Sequence, residues 1–202
     1  MDEMKSAFER AMERAESLGK ASEEDLKKWQ YLPEGEKLAA RYLRDEFDLM
    51  AELGKYDDKT RQLVSQGAQE VFIRNMDLPR NDFAKKKNKH VMEAIKELKR
   101  DKVGIENVYT KLRRLFSHYE KEGEQQRRQT YEAVKRDFEA KLMQAIQQQQ
   151  QQQLAGGASP TAKISAESHP QFQQEWRRVL AQLDSQYLKL LEEYKKEISS
   201  VR

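Results

Sequence analysis

Residues 120–130 read EKEGEQQRRQT, eleven positions without one large apolar side chain. On both sides the apolar residues recur at helical spacing. Upstream, Ile105, Val108, Leu112, Leu115 and Tyr119 step by three, four, three and four. Downstream, Tyr131, Val134, Phe138, Leu142 and Ala145 resume the same stripe. That alternation is the seam of a coiled coil. The segment therefore decides whether 103–150 is one long helix with a wet interruption or two separate elements. Glu124 and Arg128 are four apart, the favoured ion-pair spacing on an exposed helix. Gly123 costs the helix about 1 kcal/mol relative to Ala. The expectation is a solvated helical connector, with Gly123 as the candidate hinge.

The long helix needs a partner. It dissolves into Gln147–Gln153, and LAGGASPTAKISAESHP follows with loop composition. A last stripe then runs Phe172, Trp176, Val179, Leu183, Tyr187, Leu190, Tyr194, Ile198 and Val201. Two narrow-striped helices joined by a loop around 147–169 are expected to fold back as an antiparallel hairpin. A helix over 103–150 is roughly 70 Å long and one over 171–201 roughly 46 Å. The expected register puts Trp176 near Ala145, Leu183 at Phe138, Leu190 at Tyr131 and Ile198 beside Gly123.

Upstream, shorter helices are expected. Met4, Phe8, Ala11, Met12, Ala15 and Leu18 share a face ending at Gly19. Ser22 can cap a second, ended by YLPEG, and Pro33 can open a third carrying Leu38, Tyr42, Leu43, Phe47, Met50 and Leu53. Asp57 caps a fourth with Leu63, Val64, Ala68, Val71 and Phe72. After MDLPRND, a fifth presents Phe83, Val91, Ile95 and Leu98. No alternating β-branched run appears, so no strand is predicted. The fold class is all-α: an N-terminal module of about five short helices over 1–102, then a long antiparallel coiled-coil hairpin over 103–202.

Composition agrees. Of 202 residues, 36% are charged and 37% hydrophobic, with 8 Gly and 4 Pro, a profile of long amphipathic helices. The absence of cysteine removes disulfides, thiol nucleophiles and thiolate metal sites. No run approaches the roughly 18 apolar residues of a membrane span. The N-terminal MDEMKSAFERAMERAESLGK has neither signal-peptide nor transit-peptide character, so a cytoplasmic protein is expected.

The net charge of +3 is uneven. Residues 1–79 hold 13 Lys and Arg against 18 Asp and Glu, whereas 80–102 hold 9 against 4. The basic patch is Lys85, Lys86, Lys87, Lys89, Lys96, Lys99, Arg100 and Lys102. Such a run can bind nucleic acid by releasing phosphate counterions. It lacks interleaved aromatics for base stacking, and the plainer reading is a solvated face paired with the acidic N-terminal module.

Catalytic signatures are missing. His118 with Glu122, and His90 with Glu93, are each half a metal site, without the second copy that carboxylate bundles need. No phosphate loop or nucleophile elbow is present. No enzyme activity, cofactor, metal or small-molecule substrate is expected. The large side chains Trp176, Tyr187, Leu190, Tyr194, Tyr131 and Phe138 cannot all be covered by two single-striped helices. They are the candidate interface for a protein partner or a second copy, and the leading reading is a non-enzymatic interaction or structural protein. Nucleic-acid or ribonucleoprotein binding through helix 83–102 is the alternative.

The blocks YLPEGEKLAARYL, NMDLPRND, HYEKEGEQQRRQTYE and FQQEWRRVLAQLDSQYLKLLEEYK resemble those of an uncharacterised bacterial family of helical, cytoplasmic proteins. The resemblance spans nearly the whole chain, with the Gln-rich loop as its variable part. It implies an all-helical fold and brings no activity and no functional residues.

Overall fold

The computed structural model describes residues 23–45, 47–152 and 165–201; the helix expected over 4–18 lies outside them. The described residues form helices and no strand: α1 (Glu23–Tyr42), α2 (Leu49–Leu53), α3 (Asp58–Asn75), α4 (Asp82–Leu98), α5 (Lys102–Glu120), α6 (Glu122–Gln152), a 3-10 turn (Ala166–Ser168) and α7 (Pro170–Ser200). The protein is all-α. The chain divides into two compact units. The first holds residues 1–76, 86–102 and 201–202, and the second holds 77–85 and 103–200.

In the first unit, α1 runs unbroken through Pro33. The helix expected before YLPEG and the first part of the one expected after it are therefore one, while the remainder of the latter, Leu49–Leu53, is a separate helix. Proline removes one intrahelical bond, and tertiary packing outweighs that loss. The packing is set by two glycines. A methyl group built on Gly35 would lie 2.0 Å from the Val64 carbonyl oxygen, and one on Gly67 would lie 2.1 Å from that of Leu32. The α1 and α3 backbones thus touch, each through a glycine of its own. Around the crossing Ala39, Val64, Ala68 and Phe72 are buried, joined by Val91, Ala94 and Ile95 of α4. Asp57 caps α3, its carboxylate accepting from the amides of Lys59 and Thr60. A hydrogen bond from the Thr60 side chain, together with these amides, holds its carboxyl below the ordinary value. Tyr42 meets Phe72 edge-on and stacks flat on His90 at 4.4 Å.

In the second unit the seam of α5 is buried as its spacing predicts, at Ile105, Val108, Leu112, Leu115 and Tyr119, with Tyr109 added. The α7 helix lies antiparallel to the α5–α6 line. Going up that line, Lys111 pairs with Glu197, Tyr119 with Tyr187, Tyr131 with Trp176 and Phe138 with Phe172. The expected register is overturned: Phe138 faces Phe172 and not Leu183, a slide of about three turns. The cause lies at the 3-10 turn. Ala166 is buried there, and Glu167 accepts hydrogen bonds from Lys135 at 2.7 Å and Tyr131 at 3.4 Å. The chain has come back down to the level of Lys135 before α7 begins. The last turns of α6 consequently extend past the start of α7, and Met143 there is exposed.

The expected connector also differs. The α5–α6 line deviates only at Lys121, and Gly123 is buried rather than solvated. A methyl group at Gly123 would stand 3.0 Å from both the Tyr187 hydroxyl and an Arg127 guanidinium nitrogen. The candidate hinge is a close-packing position beneath a tyrosine ring.

Candidate interaction surface

Two arrangements in the second unit have chemical content. The first is a buried carboxylate. On α7, Asp184 falls on the same face as Leu191 and Ile198 and is only 3% exposed. Leu78 and Pro79 are buried in this unit and bring Arg80 into reach. Arg80 donates to Asp184 Oδ2 through Nη2 at 3.1 Å and Nε at 3.3 Å. The Tyr119 hydroxyl donates to the same oxygen at 3.4 Å. Arg127 approaches Oδ1 at 3.9 Å, and that oxygen accepts no hydrogen bond. Arg127 is held by the α5 helix end, stacking 3.9 Å over the Tyr119 ring and donating to the Tyr119 carbonyl at 3.1 Å. Burial, then the Asp184 charge, raises the Tyr119 pKa. The arrangement ties segment 77–85, α5, α6 and α7 together.

The second arrangement is a groove of about 600 Å³ between the α5–α6 line and α7. Its floor is Leu115, Leu183 and Leu190, and Tyr187 and Tyr194 stand along α7. One wall carries Lys111, Arg114 and His118 at helical spacing on α5; Gln126, Gln182 and Gln186 complete the lining. His118 Nδ1 and the Tyr187 hydroxyl share a hydrogen bond of 2.9 Å. Burial raises the Tyr187 pKa. Leu190 is 40% exposed, high for a leucine on a helix seam.

The six candidate interface residues therefore separate into two groups. Tyr187, Leu190 and Tyr194 line the groove. Tyr131, Phe138 and Trp176 instead pack with Phe172 in an edge-to-face cluster further along the pair, half-buried by one another. Sequence reasoning missed Asp184, Arg80 and Arg127. The available signal was an acid on an otherwise apolar stripe.

The basic run is divided between the two units. Lys85 belongs to the second unit and pairs with Glu120 at 3.1 Å and Asp82 at 3.4 Å. In the first unit Lys99 is buried and donates to the Val201 carbonyl, and burial lowers its pKa. Lys102 donates to the carbonyls of Lys96 and Glu97. Lys86, Lys89, Lys96 and Arg100 are exposed, and Lys87 is half-buried. No group of three His, Asp or Glu among the described residues could hold a metal ion. His90 lies on Tyr42, His118 on Tyr187 and His169 beside Phe138. No helix among the described residues is long and apolar enough to cross a membrane.

The chain belongs to a family of unknown function, DUF6657, which it matches over residues 50–200. The match covers α2 to α7, with both arrangements above, and leaves α1 outside. No curated protein and no solved structure matches the chain.

Proposed function

We propose that this protein is a cytoplasmic, non-enzymatic helical interaction protein that binds a macromolecular partner through the coiled-coil-like surface of the α5–α6/α7 pair. The observation that carries the reading is the leucine-floored groove, with Leu190 in solvent and Tyr187 and Tyr194 beside it. Apolar surface rimmed by polar groups is the usual mark of an interaction site, and tyrosine is enriched where binding energy concentrates. The second reading, nucleic-acid binding through α4, draws on exposed Lys86, Lys89, Lys96 and Arg100. It is weaker, because Lys85, Lys99 and Lys102 are engaged within the protein.

The test is a photo-reactive amino acid placed at Leu190 of the full chain in its native cell. A discrete protein adduct at Leu190, absent when the same group replaces exposed Lys141, is the expected result. Adducts equal at the two positions would refute the reading. A nucleic-acid adduct from Lys89, with none from Leu190, would favour the second reading.

A further inference from the structure

Building on that reading, we infer that the groove takes one amphipathic helix of three to four turns whose flank bears carboxylates. Three observations define the occupant. The first is length. The groove runs from Lys111 to Gln126 on one wall and from Gln182 to Tyr194 on the other. At about 1.5 Å per residue these walls are roughly 22 Å and 18 Å long, the span of a helix of about 12 to 15 residues.

The second is shape. Leu183 and Leu190 are seven apart and face the groove together, with Leu115 opposite. A helix carrying apolar side chains at positions i, i+3 or i+4, and i+7 meets such a floor with the periodicity of its own stripe. A nucleic-acid backbone would leave these leucines against charge and water.

The third is charge. The lining contains Lys111, Arg114 and His118 on one wall and no carboxylate, although Glu122 stands beside it on the α5–α6 line, near enough for its charge to act on Tyr187. Lys111 is already paired with Glu197 at 2.8 Å, while Arg114 makes no ion pair among the described residues and is exposed. The α7 wall is lined by uncharged Gln182 and Gln186. The asymmetry orients the ligand. Its acidic flank lies along α5, where a Glu or Asp can take the Arg114 guanidinium in a two-pronged hydrogen bond. Its opposite flank needs only neutral polar groups.

The full chain, selected against a display library of helical peptides with a fixed leucine stripe and randomised flanks, provides the test. Enrichment of Glu or Asp on one flank only is expected. The selected peptides should bind one per chain, bind at least tenfold more weakly to Arg114→Glu, and fail to bind Leu190→Asp. Both variants must keep the parent's helicity and melting temperature; if Leu190→Asp unfolds, Gln186→Arg fills the groove from the neutral wall and takes its place. Selection without acidic enrichment, or selected peptides indifferent to Arg114→Glu, would overturn the inference. So would sedimentation of the chain as a dimer that Leu190→Asp dissociates, which gives the groove to a second copy. Failed selection alongside a specific adduct from Leu190 sinks only the acidic helix; loss of that adduct as well sinks the interaction reading with it.

Discussion

The glycine crossing of α1 and α3 gives the sharpest mechanical prediction. Alanine at Gly35 would put a carbon 2.0 Å from the Val64 oxygen and 2.8 Å from the Ala68 nitrogen. Ordinary C···O contacts of this kind lie at about 3.3–3.6 Å. The helices must therefore part by more than about 1 Å, because the obstacle is backbone and no rotamer relieves it. A gap of that size forfeits a quarter to a half of the dispersion energy between facing atoms at Ala39, Val64, Ala68 and Phe72. Overpacking of this sort costs about 3 kcal/mol, at the upper end of its usual range, and the better helix propensity of alanine returns about 1. Gly35→Ala should thus destabilise the first unit by about 2 kcal/mol. Gly67→Ala, whose methyl would meet Leu32 at 2.1 Å, should do the same. The two wedges open one gap, so the double variant should lose less than the sum of the singles, by about 1 kcal/mol. Urea unfolding followed by circular dichroism, with amide exchange to separate the two units, measures all three. If either single variant is more stable than the parent, the backbones do not touch and the reasoning fails.

Asp184→Ala should cost about 2 kcal/mol in the same assay, less than a fully buried pair because the Arg80 side chain is 46% exposed; an unchanged urea midpoint would contradict the role given to this carboxylate. In the cysteine-free chain, Lys111→Cys with Glu197→Cys should cross-link within one molecule, while Phe138→Cys with Leu183→Cys should not; the reverse outcome restores the other register. Replacing Lys85, Lys86, Lys87 and Lys89 with Gln should leave helicity unchanged and shift the melting temperature by only a few degrees, since the Lys85 pairs are solvent-screened; collapse on melting would show the run to be internally structural. Glu167 has its carboxyl pKa lowered by the Lys135 hydrogen bond and charge. Its contribution to the α6–turn contact is therefore present above the unfolded pKa and lost as pH falls through the folded one. Carbon-13 titration should place its midpoint below that of an ordinary glutamate, and Lys135→Met should raise it.

What the sequence made legible was whatever repeats. The α5 seam was predicted residue by residue, because a 3.5-residue period requires only local geometry. Val64, Ala68 and Phe72 were placed on the buried face of α3 for the same reason. Phe83, assigned to a buried face of α4, is 76% exposed, because an apolar residue near a helix start needs a neighbour that periodicity cannot supply. YLPEG suggests a helix end, yet Gly35 within it is a contact surface whose partner is on another helix. Asp184 was hidden because its ligand Arg80 stands 104 residues away, a distance that no local pattern spans. The groove combined both kinds of information. Tyr187, Leu190 and Tyr194 were legible as excess apolar surface, while the basic wall opposite them depended on the register, and the loop composition could not set that.

The re-entry of the chain at Glu167 bears on how this sequence can change over generations. Gln147–Gln153 is a run in which a glutamine can be inserted or deleted without changing its character. In a hairpin closed by a tight turn at the tip, every such event would slide one stripe against the other and exchange buried for exposed positions. Here the alignment is set lower down, by Glu167 on Lys135 and Tyr131 and by Phe172 on Phe138. All but the last of these glutamines lie at the end of α6, beyond that contact, so extra or missing copies alter the helix end and leave the contact where it is. Length variation in the run is thereby insulated from the aromatic cluster, the buried carboxylate and the groove, and the tract is free to vary while everything below it stays in step.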